Sequence, residues 1–458
     1  MKYAKYPSYK IPNVEWLDTQ PEQWSDGSLR WFAKIYAGGT PSKTNEAYWQ
    51  NGTIPWLNSG SVNQSLITQA SAFITNDAYA NSSAKWIPAG SLVIALAGQG
   101  KTKGMVAQLS IEATCNQSMA AIVPNSNLEP RFLYWWLNSN YQNIRNMAGG
   151  DLRDGLNLEM VASIQCPIPS SSEQIQIAAF LDRETAKIDR LIEKQQRLIE
   201  LLEEKRQAAI SNAVTKGLNP DAPMKVSGVE WLGEIPSHWE VKQLKRLIKA
   251  LESGVSVNAT DVPATASEYG VLKTSCVYTR FFRPEENKTV FEEELDRLKC
   301  PVRAGSIIIS RMNTPDLVGA SAFVELDHEN LFLPDRLWQT VFDDSVKVNP
   351  EYLSYFMMIK SFREQISLYA AGTSSSMQNI AQEDYLSIPV CFPALDEQTQ
   401  IVEHIKEQLG KLESLGSKAN KTVELLRERR TALISAAVTG KIDVRDQVPQ
   451  DVEKVVAS

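Results

Sequence analysis

The segment Ala95-Leu96-Ala97-Gly98-Gln99-Gly100-Lys101-Thr102 comes within one residue of a phosphate-binding loop. Such a loop cradles phosphate with backbone N–H groups and a lysine. It needs glycine at its first position and a helix after its last. Here Ala95 takes the first position, and Gly104-Met105-Val106-Ala107-Gln108-Leu109 reads as a returning strand. A hairpin is therefore expected, with Gln99, Lys101 and Lys103 at its tip. Lysines at such a tip can touch phosphate, and a glutamine can pair with adenine N6 and N7. An exposed polar turn without a role fits the same residues.

Further polar residues fall in turns. Gly38-Gly39-Thr40-Pro41-Ser42, then Tyr48-Trp49 and Ile54-Pro55-Trp56, makes a glycine-rich turn where backbone can approach a ligand, with aromatics beyond it for a core. Arg311 and Asn313 follow the strand-like run Ile307-Ile308-Ile309-Ser310, and Arg336 follows Leu333-Pro334-Asp335. Arginine can contact guanine through two bonds and asparagine can do the same with adenine. Alone, each is more often a solvated or ion-paired side chain. Gly149-Gly150-Asp151-Leu152-Arg153 and Gly372-Thr373-Ser374-Ser375-Ser376-Met377-Gln378 occupy equivalent places before a closing strand. Small and polar residues there suit either backbone contact or a plain connection.

Other chemistry is poorly provided for. The three histidines, His238, His328 and His404, are far apart, and the five cysteines include no C-x-x-C. Neither a zinc site nor a disulfide framework is signalled. A methyltransferase would need a glycine-rich cofactor loop and an Asn-Pro-Pro-aromatic motif, which Asn219-Pro220-Asp221 and Asn349-Pro350-Glu351 do not supply. No active site is expected in the chain. No apolar run reaches about 18 residues and the N-terminus lacks a signal-peptide core, so a cytoplasmic protein without a membrane span is expected. The formal net charge is −7. A simple electrostatic nucleic-acid binder would be basic, so any such role must rest on local patches or a partner.

The elements that would hold these residues are written twice. Val14-Glu15-Trp16-Leu17, with Pro21 and Trp24, returns as Val229-Glu230-Trp231-Leu232, with Pro236 and Trp239. Residues 173–215 align without a gap on 397–439, with about 18 of roughly 43 positions identical. Between these ends lie two unlike stretches, 28–165 and 240–390, that read as mixed α/β modules. Strands are expected over 91–96 and 305–310, and helices over 131–137 and 351–357. These correspond in position, so a shared module fold is expected despite the sequences.

The repeated ends read as long helices. Ser170 with Glu173 suggests a capping box for the first, and Asp396 a cap for the second. Apolar residues recur at heptad spacing at Leu181, Ile188, Leu191, Leu198, Leu202 and Ala209, and at Ile405, Leu412, Leu415, Ala419, Leu426 and Leu433. Two matched seams favour an antiparallel pair over two independent amphipathic helices. About 35 residues at 1.5 Å rise give a rod of about 50 Å. The chain divides accordingly into 1–168, 169–218, 219–393, 394–442 and a flexible tail, 443–458.

Docking motif, divergent module, proline-containing closure and Glu-Gln-x-Gln-Ile helix, in that order and twice, resemble the specificity subunit of type I restriction–modification systems. Gly38 to Ser42 with Tyr48-Trp49 and Ile54-Pro55-Trp56 looks like one class of target-recognition domain. Ala113-Thr114-Cys115-Asn116-Gln117-Ser118-Met119-Ala120 fits that class, and Asn313-Thr314-Pro315-x-Leu317-Val318-Gly319 looks like another. The resemblance covers about 10–442 and rests most on the duplicated order.

It implies an α+β fold. Two α/β target-recognition domains are separated by two long antiparallel coiled-coil helices in an internal pseudo-twofold repeat. Each domain would read half of a split site in double-stranded DNA through residues such as Gly39, Thr40, Ser42, Gln99, Lys101, Lys103, Asn116, Gln117, Arg153, Arg311, Asn313, Arg336, Ser374, Ser375 and Gln378. Unlike readers imply an asymmetric site, since identical readers give palindromes. Two methyltransferase (modification) subunits would dock on the helices and bring S-adenosylmethionine. Restriction/translocase subunits would bring ATP and Mg, and this chain would hold no cofactor or metal. A coiled-coil scaffold displaying two protein-binding modules, without DNA, is the competing expectation.

Overall fold

The computed structural model describes residues 3–98, 100–149, 155–343, 345–374 and 377–447, with backbone alone over 371–374. The chain forms two compact units, Met1–Gln196 with Lys421–Ser458, and Arg197–Asn420.

Four antiparallel strands organise the first unit: β1 (Ala33–Ala37), β2 (Leu92–Ala95), β3 (Val106–Leu109) and β4 (Met119–Pro124), side by side in the order β1-β4-β2-β3. A short fifth strand, Leu66–Ile67, joins β3 in parallel. Strand alternation sends Leu92 and Ile94 into a core beneath the helix Pro130–Ser139, and Val93 and Ala95 into a second core with Leu57, Ile67 and Leu109. Both faces are covered, so β2 reads as an unbroken apolar run.

The second unit repeats this frame with β5 (Ile248–Ser253), β6 (Ile307–Ser310), β7 (Ser321–Phe323) and β8 (Leu337–Phe342), in the order β5-β8-β6-β7. Ile307 and Ile309 face one core and Ile308 the other. The shared module fold expected from the sequence is present. The modules differ in what surrounds the sheet: a five-stranded sheet containing Gly270–Leu272 flanks the second, and a three-stranded sheet containing Ile54–Leu57 the first.

Each module is closed the same way. The strand after the docking motif pairs with the proline-containing closing strand, Ser25–Ser28 with Gln165–Ile168 and Glu240–Gln243 with Pro389–Phe392. The long helices follow, Ser171–Lys216 and Leu395–Val438. A buried glutamine near each helix start ties it to its module. Gln174 Oε1 accepts from the Glu129 N–H at 2.7 Å, and its Nε2 donates to the carbonyls of Asn127 and Pro169. Gln398 repeats the set with Asn349 N–H at 2.7 Å and the carbonyls of Lys347 and Pro393. Gly217 and Gly440, at φ 74° and 69°, end the helices in the left-handed conformation.

Within the first unit, Ile177, Leu181 and Ile188 at the start of the first helix share a core with Leu433, Ile434, Ala437 and Val438 at the end of the second. Arg430 meets Asp189 at 2.8 Å. Within the second unit the ends exchange, and Ile210, Ala213 and Val214 pack with Ile401, Val402 and Ile405. Start against end in both units is the antiparallel pairing the sequence led us to expect.

Several details differ from expectation. Leu191, Leu198 and Leu415 are 48%, 41% and 49% exposed and lie off the seam. The expected Ile188, Leu412 and Ala419 are buried, and Thr185 in one helix and Val423 in the other join them. Leucines flanking a seam at a one-residue offset fit a heptad nearly as well, which is why spacing misassigned them. The capping box is half-formed: Ser170 Oγ accepts the Glu173 N–H at 3.4 Å, while Glu173 accepts from the Tyr6 hydroxyl at 2.6 Å instead of reaching back. Asp396 lies in the first turn, inside the helix and not at its cap. The start of the supposed tail is held, because Asp443 bridges to Ala4 and Arg183 donates to the Gln447 carbonyl at 2.7 Å. Residues 448–458 lie outside the described residues.

Candidate nucleic-acid interface

The loops of the first unit converge because three strands reach the same sheet end together. Ala37, the last residue of β1, pairs with Ala120, and Ala95, the last of β2, pairs with Met119. Main-chain hydrogen bonds then lace the emerging loops. The Gly39 N–H donates to the Cys115 carbonyl at 2.8 Å, Leu96 N–H to Ser118 at 2.8 Å, and Leu156 N–H to Leu96 at 2.7 Å. Turn 38–42, hairpin 96–105 and loop 115–118 thus form one surface.

Of the residues singled out there, Ser42, Lys101 and Gln117 are exposed and Thr40 and Asn116 half-buried. The Thr40 hydroxyl donates to Gln117 Oε1, Ser42 and Thr44 hydroxyls lie 2.9 Å apart, and Asn116 Oδ1 accepts the Ser118 N–H at 3.1 Å. Gly39 is buried, and a Cβ there would stand 2.4 Å from Ser83. The close approach this glycine permits is to its own chain. Lys103, expected at an exposed tip, is only 3% exposed. The hairpin bends so that Gly104 packs on the backbone of Arg145, and this turns Lys103 inward. Gln99 and Arg153 lie outside the described residues. Burial holds the Cys115 thiol up at about 12, so no thiolate chemistry is offered under the turn.

The second unit laces its loops by the same pattern. Gly319 N–H donates to Ser310 at 2.6 Å as Gly104 does to Ala95 at 2.9 Å, Arg311 N–H to Arg336 at 3.1 Å, and Ile380 N–H to Arg311 at 3.1 Å. Arg311, Asn313, Arg336 and Gln378 are therefore neighbours, the segments of Asn313 and Gln378 being paired as strands. Arg336 is exposed, while Arg311 and Gln378 are half-buried. Asn313 does not present itself to a groove as expected: it is 8% exposed and its amide is used internally, by Tyr278 at 2.9 Å, Ser310 at 3.2 Å and the Thr314 N–H at 2.9 Å. The side chain of Ser374 and all of Ser375 lie outside the described residues.

Residues not singled out from sequence also reach these surfaces. Tyr141 donates to the Lys101 carbonyl at 2.5 Å and accepts from Arg145 at 3.2 Å. In the second unit Arg363 borders the loop after β6. It comes from a segment far from that loop in sequence, and no spacing signal joins the two. A cavity of about 1070 Å³ in the second unit, lined by Arg206, Phe281, Tyr355, Lys406 and Glu413 among others, holds none of the residues singled out. Among the described residues, no group of three or more His, Cys, Asp or Glu could hold a metal ion, and no helix is long and apolar enough to cross a membrane.

Residues 21–203 match the family model of the type I restriction modification DNA specificity domain. The chain is 31% identical over 198 residues to the specificity subunit of the type I restriction enzyme EcoR124I/EcoR124II from Escherichia coli, covering 42% of this chain and 46% of that one. Over these residues the chain is similar to type I restriction specificity subunits. Its alignment spans about half the length of that relative. The fold agrees over more of the chain. A solved chain from a study of type I R-M complex assembly and conformational transition superposes with a TM-score of 0.71 at 16% identity, over 92% of this chain and 99% of that one. The HsdS subunit from Thermoanaerobacter tengcongensis gives 0.54 at 15% identity, over 92% and 98%.

Proposed function

We propose that this chain is a type I specificity subunit, that it reads a bipartite, asymmetric site in double-stranded DNA, one half through each loop surface, and that it carries no catalytic group of its own. The observation that supports this most is the pair of surfaces themselves. They are laced by equivalent hydrogen bonds, yet Leu96 and Ser118 in one stand where Arg311 and Arg336 stand in the other. One scaffold bearing different side chains suits two different half-sites. The exposed residues, with Arg153, Ser374, Ser375 and Gln99, would line those surfaces, and the paired helices would fix how many unread bases lie between the half-sites.

Two methyltransferase subunits would dock on the long helices. Leu191 and Leu415 are equivalent, as are Leu201 and Leu425, and all four are between 45% and 55% exposed. Each unit thus carries one leucine of each pair, and a repeated exposed apolar residue suits two copies of one partner. Those partners would bring S-adenosylmethionine, and restriction/translocase subunits ATP and Mg, in the cytoplasm. With about 16 basic against about 21 acidic residues in 240–390, the second module would rely on partner subunits for part of the positive surface that phosphate contacts require.

Methylome sequencing of cells carrying the complete system tests the reading. A split, non-palindromic methylated motif is expected, and exchanging residues 28–165 for another module should alter one half only. A palindromic motif, or one that changes throughout, would sink it. Absence of any specific duplex binding by the complex would favour a scaffold that does not read DNA.

A further inference from the structure

Three arginines of the second unit have a buried donor nitrogen from which no described residue accepts. Among the described residues, Arg280 and Arg363 each keep a buried Nη1 without a hydrogen-bond partner, and Arg311 a buried Nε in the same state. The loop 311–319 touches the segments that carry them. Arg311 begins it, and Asn313 donates to the hydroxyl of Tyr278, two residues before Arg280, at 2.9 Å. Arg363 Nη2 donates to the Asp316 carbonyl at 3.1 Å, and a Cβ on Gly319 would stand 3.0 Å from Arg363 Nη1.

Two further observations point the same way. Burial, and then the neighbouring Arg280, push the Arg363 guanidinium down to about 10, with Asp316 and Tyr385 opposing weakly. Arg280 itself sits at φ 68°, a region that residues other than glycine avoid. Unpaired buried charge and backbone strain in one place persist where the surroundings enforce them for a purpose. An anion would accept from these donors and offset the repulsion between them. A neutral base edge could accept from one guanidinium, but it would not offset repulsion between Arg280 and Arg363.

We propose that Arg280, Arg363 and Arg311 form a site for a backbone phosphate of bound duplex DNA. The proposal rests on the DNA-reading function above and adds an anchoring point specific to the second unit. The first unit has Leu96 where the second has Arg311, and its Arg145 side chain is occupied by Tyr141.

The test compares wild type with Arg280→Gln, Arg363→Gln and Arg363→Lys in the complex reconstituted with its methyltransferase subunits. Each glutamine variant should weaken specific and non-specific duplexes alike, by about tenfold, and lower the salt slope by about one, with the methylated motif unchanged. The lysine variant should regain most of the slope. Inorganic phosphate should raise the melting temperature of wild type and not of Arg280→Gln, and this readout remains if Arg363→Gln does not fold. Unchanged affinity and slope would make these structural arginines. A changed base in the second half-site would make them base readers. Loss of a methyltransferase subunit at unaltered duplex affinity would assign the anion to a partner carboxylate. Each of these overturns the proposal. A wild-type complex that binds no specific duplex would instead sink the reading beneath it.

Discussion

The two units solve one structural problem with one scaffold and then diverge at its end. Strand order, the glutamine that ties helix to module, the glycine that ends each helix and the lacing of the loops are all shared. The side chains carried by the laced loops are not. Positions committed to holding the fold must satisfy buried backbone groups, which leaves few alternatives. Positions at the rim answer only to what they contact, so they are free to differ. Even the shared parts are not perfect copies. Trp239 Nε1 donates to Glu397 at 3.1 Å, whereas Glu173 accepts from Tyr6 and leaves Trp24 Nε1 buried without a partner among the described residues.

This comparison can be broken at three levels. The largest effect is expected at the helix surface. Leu191→Glu with Leu425→Glu, both in the first unit, should remove one methyltransferase subunit while the other stays. Native mass spectrometry should then show one copy in place of two, a loss of at least about 3 kcal/mol in docking. Loss of both copies, or of neither, would break the assignment of one docking surface to each unit.

Next come the glutamines. Gln174→Ala and Gln398→Ala each orphan three backbone partners, one bond buried and two partly buried, and each should destabilise its own unit by about 2–4 kcal/mol. Hydrogen exchange should show the first change in 3–196 and the second in 197–420, with similar magnitude. A clear inequality would mean that the repeat is geometric without being energetic.

The smallest effect is at the tryptophans. Trp24→Phe and Trp239→Phe lose similar volume, but only the second gives up a hydrogen bond to a carboxylate. Chemical denaturation should find Trp239→Phe costlier by about 1 kcal/mol. Equal losses would show that the Glu397 contact contributes nothing net.

Much of the architecture was legible in the chain because it is periodic or repeated. The repeat located both long helices within a few residues, and the β-branched runs located β2 and β6. The near-match to a phosphate loop folded as the hairpin its returning strand implied. Side-chain exposure was less legible. Lys103 and Asn313 fall in turns, where polar residues are usually exposed, but a bent hairpin and an internal amide network bury them. The leucines 191, 198 and 415 were assigned to the seam, because a heptad pattern does not identify which of two neighbouring stripes faces the partner helix.

The sequence by itself determined the duplicated frame, the place of its two variable modules and the antiparallel logic of its matched helices. Local propensity and repetition suffice for these, since each is written in residues close together. Only the tertiary structure decided that both modules share one strand order and that loops distant in sequence are laced at one sheet end. It also decided that Arg280, Arg311 and Arg363 each keep a buried donor without a partner among the described residues. Those features depend on which strands pair and where chain ends emerge. Pairing is set by burying both faces of a sheet at once, a condition on the whole unit that no short stretch of sequence states.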